Sequence, residues 1–360
     1  MSAPILSAKG LKRAFVTKKP LFGAPTVVRA VDGVDLDIFP GETFAIVGES
    51  GCGKSTLARL LVRLIAPTEG EVWYQGKDIA HLPDDEMRAL RKDLQFIFQD
   101  PFSSLNPRMT VGALIEEPLR AHGVGDVAAR TARVNDLLVR VGLTPAHADR
   151  YPHEFSGGQR QRIGIARALA TGPKVIIGDE PVSALDVSIQ AQVVNILEDL
   201  KADFGLTLIV IAHDLAVLRH MADRVAVMYL GEIVEVADTE ALFTAPGHPY
   251  AEALLAAIPI ASVGARKAKT HIDGDLPNPI DMPSGCRFHT RCPYAVPRCA
   301  QERPALHNTG VGRQVACHRA GELSLAGLSE AGPQRSVAAQ TRFDLYRAAT
   351  AARKPSPQTS

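Results

Sequence analysis

One nine-residue loop limits the fold of this chain more than any other part of its sequence. The loop follows a predicted apolar strand at Thr43–Val47 and precedes a predicted helix, Ser55–Ile65, with apolar residues at helical spacing. Glycines in such a loop let backbone N–H groups point at phosphate oxygens, and the helix presents its positive end to the same anion. This order is typical of a P-loop nucleotide site. The loop reads Gly48-Glu49-Ser50-Gly51-Cys52-Gly53-Lys54-Ser55-Thr56.

Two side chains of this loop carry the expected chemistry. Lys54 should hold the β- and γ-phosphates, and the Ser55 hydroxyl should ligate magnesium. A charge-assisted hydrogen bond contributes about 1.5 to 3 kcal/mol, so loss of Lys54 should weaken nucleotide binding roughly ten- to hundred-fold. Cys52 is interpreted as a small residue that fills the loop rather than as a nucleophile.

A second, acidic element completes the predicted site. The residues from Val175 to Gly178 predict a buried strand that ends in Asp179, whose carboxylate can reach magnesium from the carboxyl edge of a sheet. Glu180 follows directly and is placed to polarise the attacking water. The loop and this acidic pair alone indicate a P-loop NTPase without specifying its class.

A third motif narrows the class of enzyme. A serine and paired glycines open a helix that continues through Ile163 and Leu169, which makes a second anion site at a helix N-terminus. One nucleotide cannot need both anion sites from one subunit if they lie on separate subdomains, and a P-loop kinase has no use for the second. The motif reads Phe155-Ser156-Gly157-Gly158-Gln159-Arg160-Gln161-Arg162.

This motif resembles the signature of ATP-binding cassette ATPases. In that family two cassettes face head to tail and enclose two ATP molecules, and the signature of one covers the γ-phosphate held by the loop of the other. By this resemblance Ser156, Gly157, Gly158 and Gln159 bind nucleotide. The resemblance implies four more site residues, namely Phe15 beside adenine, Gln99 as a sensor of magnesium and water, Asp186 in the dimer-contacting loop that begins at Ser183, and His213 as the switch histidine at the γ-phosphate.

The chain is long enough for one large domain and an appendage, at 360 residues. Strands predicted at 174–178 and 206–212, with a helix between them, indicate an α/β fold with a parallel sheet. The expected parts are a RecA-like P-loop NTPase core within residues 1–245, an inserted helical subdomain at about 84–170, a small cysteine-bearing region at 246–320 and a mobile tail at 321–360.

Two segments, Asp100–Met109 and His248–Pro259, resemble the dipeptide and oligopeptide importer ATPases, and an insertion at Lys18–Pro25 favours the second of their two paired ATPases. The resemblance implies ATP and Mg²⁺ as cofactors and a peripheral position on the cytoplasmic face of the cell membrane. Its partners would be two membrane-spanning permeases, a second homologous ATPase or a second copy of the chain, and an extracytoplasmic substrate-binding protein. Phe102 and Leu105 would lie by the groove for a permease helix. Importers of nickel, glutathione or sugars are alternatives.

Four of the five cysteines lie within 32 residues. Such clustering favours metal ligation over disulfides in a cytosolic chain, although the spacings lack the tight C-x2-C pair of many zinc sites. The resemblance to peptide-import ATPases implies a four-iron, four-sulfur cluster, and zinc or unmetallated thiols stay open. The four residues are Cys286, Cys292, Cys299 and Cys317.

Composition disfavours other classes of function. Because 40 basic residues balance 39 acidic ones, no overall field attracts nucleic acid. The first ten residues lack the apolar core of a signal peptide, and no apolar run approaches the roughly 18 to 20 residues that span a bilayer. The alternative of another class is a soluble cassette ATPase of DNA repair or translation, whose usual coiled-coil insertions or second cassette we do not find in the sequence.

Overall fold

The structure is a computed structural model that describes residues 3–16, 25–183, 185–212, 215–258, 277–310 and 312–328. Most of the insertion noted at Lys18–Pro25, the switch histidine His213 and nearly all of the predicted mobile tail lie outside these ranges.

The strands and helices of the described residues alternate along most of the chain. The strands are β1 (Leu6–Val16), β2 (Val27–Ile38), β3 (Thr43–Val47), β4 (Glu69–Tyr74), β5 (Lys77–Asp78), β6 (Leu94–Ile97), β7 (Val175–Asp179), β8 (Thr207–Ile211), β9 (Arg224–Tyr229), β10 (Glu232–Asp238), β11 (His307–Gly310) and β12 (Arg313–Val315). The α-helices are α1 (Lys54–Leu61), α2 (Asp84–Leu90), α3 (Pro101–Ser104), α4 (Val111–Ala121), α5 (Val127–Arg140), α6 (Gly157–Leu169), α7 (Val187–Phe204), α8 (Leu215–Met221), α9 (Thr239–Thr244), α10 (Pro249–Ala256) and α11 (Pro297–Gln301). In the ranges that the structure describes, no helix has the length and apolar character needed to cross a bilayer.

The main sheet has eight strands in the order β11-β12-β10-β9-β3-β8-β7-β6. Neighbouring strands run parallel from β6 through β7, β8 and β3 to β9. Strand β9 then forms an antiparallel hairpin with β10. Every residue of β3, β7 and β8 is buried, as expected for parallel strands covered on both faces. The predicted α/β fold with a parallel sheet is confirmed.

A second sheet was not predicted from the sequence. It is antiparallel, has four strands in the order β2-β1-β4-β5, and shares a core with α1 and the main sheet. Helix α1 contacts strands of both sheets, so the element that follows the phosphate loop lies between two layers. The helix ends at Leu61 rather than at Ile65.

The range expected for the inserted helical subdomain needs one correction at its start. Strand β6 lies inside residues 84–170, but it pairs in parallel with β7 and forms an edge of the main sheet. Helices α3 to α6 follow it, and α4, α5 and α6 pack on one another around Leu114, Leu137 and Ile163. The helical part therefore begins after β6, and Gln99 lies at the junction.

The C-terminal region shares the core of the ATPase part. Strand β12 pairs with β10, so it extends the main sheet. Tyr250 of α10 and Phe288 are almost fully buried and belong to the same hydrophobic core as β9. The cysteine-bearing residues are thus packed directly against the nucleotide-binding half of the molecule.

Candidate active site

The phosphate loop lies between the carboxyl end of β3 and the start of α1. Gly48, Gly51 and Gly53 have φ angles of +153°, +80° and +109°, which residues with a Cβ rarely adopt. A Cβ on Gly48 would lie 2.1 Å from the carbonyl oxygen of Met228, and one on Gly53 would lie 2.1 Å from that of Ala30. The loop is packed so closely against β9 and β2 that these two positions require glycine.

Lys54 points into the centre of this loop. Its Nζ donates hydrogen bonds to the carbonyl oxygens of Gly48 at 2.8 Å and Glu49 at 2.9 Å, and the residue is 5% exposed. Cys52 is buried beneath the loop. The cation is therefore held inside the ring of backbone groups that the sequence predicts will bind phosphate.

Asp179 ends β7 beside the start of α1. Its carboxylate accepts a hydrogen bond from the Ser55 hydroxyl at 2.8 Å and lies 3.9 Å from the guanidinium of Arg59. Burial raises the pKa of Asp179, while the Ser55 hydrogen bond and the Arg59 charge oppose that increase. Two oxygen groups of the kind that Mg²⁺ prefers thus lie side by side, which fits the predicted metal position. Arg59 belongs to no motif of the sequence and is identified as part of the site only by this contact.

Gln99 and Glu180 meet across 81 residues of sequence. The Gln99 Nε2 donates a hydrogen bond to a Glu180 carboxylate oxygen at 3.1 Å. The backbone of Glu180 has φ +48° and its N–H donates to the carbonyl of Ile211 at 3.0 Å. A left-handed conformation outside glycine costs about 1 to 3 kcal/mol and persists where surrounding contacts enforce it. The turn after β7 holds Glu180 next to Gln99 at the carboxyl edge of the main sheet.

The predicted signature motif begins α6. The Ser156 hydroxyl accepts from the Gln159 N–H at 3.4 Å, and the Gln159 side chain accepts from the Ser156 N–H at 3.1 Å, so the two residues form a capping box. A Cβ on Gly157 would lie 3.8 Å from the Leu185 side chain, and one on Gly158 would lie 2.5 Å from Ile189. The signature motif therefore packs on the segment that follows Glu180, while Ser156 is exposed.

For three further predicted site residues, Asp186, Phe15 and His213, the described part of the chain shows no contact that tests their assigned roles. Asp186 is exposed and directly precedes α7. The Phe15 ring is 40% exposed, and the guanidinium of Arg13 lies over it at 4.8 Å. His213 lies outside the described residues. The roles of all three stay predictions.

The two residues expected beside a permease groove differ in exposure. Phe102 is 60% exposed, and the guanidinium of Arg160 from α6 lies 4.1 Å from its ring centre. Leu105 is 3% exposed and belongs to the hydrophobic core. The expectation for Leu105 is therefore wrong, because its side chain packs inward on the helical part.

The four clustered cysteines line one small cavity together with Phe288. All four are free thiols. Burial raises the pKa of Cys286 to about 12, and the other three cysteines nearby add to the increase. Among the described residues, no group of three or more His, Cys, Asp or Glu side chains is arranged to hold a metal ion. The predicted clustering is present, but no metal geometry accompanies it.

Two residues of the C-terminal region, neither of them a predicted site residue, contact the phosphate loop. The Tyr250 hydroxyl accepts a hydrogen bond from the Glu49 N–H, and Arg291 forms an ion pair with the Glu49 carboxylate. Tyr250 belongs to the His248-Pro249-Tyr250 segment that resembled importer ATPases. Arg291 carried no sequence signal, because its contact with Glu49 spans 242 residues.

Comparison with family models gives two matches. Residues 31–183 match the family described as ABC transporter. Residues 234–299 match the oligopeptide/dipeptide transporter, C-terminal region. The second match covers Tyr250, Arg291 and three of the four clustered cysteines.

Curated relatives cover most of the chain. An oligopeptide transport ATP-binding protein of Bacillus subtilis, AppF, is 49% identical over 318 residues, which is 87% of this chain and 97% of the relative. The oligopeptide transport ATP-binding protein OppF of Escherichia coli is 54% identical over 288 residues, 79% of this chain and 86% of the relative.

Solved structures show the same fold. A dimeric ATP-binding cassette in a post-hydrolysis state, bound to ADP and phosphate, has a TM-score of 0.59 and 32% identity. The match covers 65% of this chain and 98% of that cassette.

Proposed function

The chain belongs to the ABC transporter family, and from this premise we propose that it is the ATP-hydrolysing, energy-coupling subunit of a dipeptide or oligopeptide importer. The observation that carries the proposal is the match of residues 234–299 to the oligopeptide/dipeptide transporter C-terminal region. It follows the ATPase part directly and packs on its phosphate loop through Tyr250. Nickel, glutathione and sugars are the alternative substrates.

The hydrolytic chemistry is assigned to residues around the phosphate loop. Lys54 and the loop N–H groups bind the phosphates, since the Lys54 ammonium lies inside the glycine loop, against the carbonyl oxygens of Gly48 and Glu49. Ser55, Asp179 and Gln99 would hold Mg²⁺, which supplies charge neutralisation at the β- and γ-phosphates. Glu180 orients and polarises the attacking water, and its contact with Gln99 fixes the carboxylate.

The signature motif is assigned to a second cassette. Ser156 and the α6 N-terminus lie at the surface against the segment after Glu180, where they can bind the γ-phosphate on a facing subunit. ATP would close the pair and drive the permeases between inward- and outward-facing states, and hydrolysis would reopen the pair. His213 and Asp186 would contact this interface, and Phe15 would contact adenine.

The exposed Phe102 is assigned to the contact with a permease. It lies after Gln99 and stacks on Arg160 of the signature helix, so one aromatic side chain joins both nucleotide-contacting motifs. Movements of Gln99 and α6 during the ATP cycle would therefore reach the membrane partner through Phe102. In this proposal the chain lies peripherally on the cytoplasmic face of the cell membrane, and its system includes two permeases, a second ATPase or a second copy of the chain, and an extracytoplasmic binding protein.

Transport by the reconstituted system tests this proposal. We expect vesicles that contain the chain, its second ATPase, two permeases and the binding protein to accumulate a labelled tripeptide only with ATP. Phe102→Ala should lower uptake about tenfold while ATP hydrolysis by the isolated chain stays within about twofold, because Phe102 lies at the surface. Uptake is measured by filtration and hydrolysis by phosphate release.

The matched control is Val139→Ala, which truncates another exposed apolar side chain of the helical part. It should leave uptake unchanged. Uptake of nickel, glutathione or a sugar instead of the tripeptide would overturn the assignment of peptides as the substrate. Co-purification of ribosomes or DNA with the chain, without permeases, would overturn its assignment to an importer.

We also propose that the four clustered cysteines hold a four-iron, four-sulfur cluster. Their side chains face one cavity as free thiols, which is the donor set of such clusters. Zinc is the alternative occupant, because four thiolates suit that ion as well. The residues are Cys286, Cys292, Cys299 and Cys317.

Anaerobic purification tests the cluster. We expect broad absorbance near 400 nm and about four iron atoms per chain, both lost in Cys299→Ser. Cys52→Ser is the control, because Cys52 lies in the phosphate loop and should leave the iron content unchanged. A colourless, iron-free protein with four titratable thiols in the region would remove the proposal, and one zinc per chain would assign the site to zinc.

A further inference from the structure

Glu49 is the second residue of the phosphate loop and is held by three side chains, through its carbonyl oxygen, its N–H and both carboxylate oxygens. Its carbonyl oxygen accepts from Lys54 at 2.9 Å, and its N–H donates to the Tyr250 hydroxyl at 2.8 Å. Its carboxylate accepts two hydrogen bonds from the Arg291 guanidinium, at 2.8 and 3.0 Å. Only the first of these three contacts comes from the loop itself.

The other two contacts come from the C-terminal region. Tyr250 is fully buried, and its ring lies 4.6 Å from that of Tyr229 and 5.3 Å from that of Phe288. The side chain of Arg291 is 7% exposed, and it also donates to the Tyr229 hydroxyl at 3.3 Å. Because both groups are held by packed aromatic rings, they offer Glu49 a rigid support.

Such a support has a physical reason in this loop. Its three glycines with positive φ give the unliganded backbone more freedom than residues with a Cβ would, and binding phosphate removes that freedom. A bidentate pair between guanidinium and carboxylate fixes orientation as well as distance. Holding Glu49 in place before ATP arrives lowers the entropy that binding must remove.

We propose that Arg291 and Tyr250 are positioning residues for ATP binding, which act by holding Glu49 and with it the phosphate loop. The proposal rests on the assignment of the phosphate loop as the ATP site. Through it, a region outside the ABC transporter family match sets the affinity of the cassette for nucleotide.

Arg291 is not needed to dock this region on the ATPase part. Arg287 pairs with Asp32 and Glu232 and donates to the carbonyl of Leu230, and Arg303 pairs with Glu232 at 2.7 Å. These contacts, the aromatic packing and the pairing of β12 with β10 remain when Arg291 is truncated. Loss of Arg291 should therefore release Glu49 and leave the fold intact.

ATP affinity of the full-length chain tests the proposal. We expect Arg291→Ala to raise the Kd for ATP with Mg²⁺ about three- to tenfold, by calorimetry, with kcat at saturating ATP within about twofold. Arg291→Lys should recover part of the affinity, because an ammonium can replace one of the two hydrogen bonds. The matched control is Arg298→Ala, which removes an exposed ion pair with Glu302 in the same region and should change neither constant.

A double-mutant cycle assigns the effect to Glu49. Glu49→Gln should weaken ATP binding as much as Arg291→Ala, and the double variant should be no weaker than either. A Kd within twofold of the parent for both single variants, or additive effects, would overturn the proposal. If Arg291→Ala does not fold, Glu49→Gln alone decides, since this substitution keeps the size and shape of a side chain that is only partly buried. Lys54→Ala tests separately whether the phosphate loop is the ATP site, on which the roles of Arg291 and Tyr250 depend. If ATP binds this variant with normal affinity, the phosphate loop is not the ATP site.

Discussion

Replacement of Glu180 by Gln is expected to lower ATP turnover at least about 100-fold and to leave ATP binding intact, because a general base contributes about 10² to 10⁴ to a rate. The amide keeps the shape of the carboxylate and can still accept the hydrogen bond from Gln99. It cannot take a proton from the attacking water. The substitution therefore removes one chemical step and little of the site's geometry.

The arrested protein should also change its assembly. In the proposed cycle hydrolysis reopens the closed pair of cassettes, so ATP should trap the Glu180→Gln chain as a dimer, alone or with the second ATPase. Phosphate release measures turnover, and light scattering after size-exclusion chromatography measures the assembly.

Glu198→Gln is the matched control for this experiment. Glu198 lies on α7 and lines a groove together with Gly41 and Thr43. Thr43 is the first residue of β3, so this groove lies at the amino end of the strand, whereas the phosphate loop follows its carboxyl end. Turnover by this control should equal that of the parent. Undiminished turnover by the Glu180→Gln chain itself would show that Glu180 is not the general base and that another residue polarises the attacking water.

The part of the site that the sequence predicted is the part encoded by short segments. The strand, the glycine loop and the helix around Lys54 are contiguous, so their periodicity and glycines give both the fold and the chemistry. The contact between Ser55 and Asp179 could also be anticipated, because the carboxyl ends of all parallel strands in one sheet lie at the same edge, here with β8 between β3 and β7.

Long-range contacts could not be predicted in the same way. The pair between Arg291 and Glu49 depends on how the C-terminal region folds back, which no local pattern encodes. The antiparallel sheet of β1, β2, β4 and β5 was missed because its strands are interrupted by bulges that disturb simple alternation. Strand β6 was included in a helical range because a run of four residues, three of them apolar, is too short to distinguish helical from strand periodicity. Leu105 was assigned to a surface because its proline-flanked segment resembled an exposed loop.

Gly157→Asp is expected to abolish ATP-dependent assembly and to lower turnover by more than about 100-fold, the effect of losing a major stabilising group for transition-state charge. The isolated chain should tolerate this substitution without loss of stability. Gly157 has room for a Cβ, whose nearest neighbour would be Leu185 at 3.8 Å, and an acidic side chain in the first turn of α6 is favourable to the helix dipole. Its charge would, however, face the γ-phosphate of the other cassette and repel it.

Two comparisons separate repulsion at a shared site from damage within one subunit. Gly157→Ala adds the Cβ without the charge and should retain most of the turnover, while Gly164→Asp places the same charge later in α6, where a Cβ meets open space. In the Glu180→Gln background, ATP should bind the Gly157→Asp chain with unchanged affinity yet leave it unassembled. Because α6 and the phosphate loop are then both intact, the lost assembly can arise only where two subunits meet. A Gly157→Asp chain that still dimerises with ATP would mean that its signature motif does not cover the nucleotide of a partner.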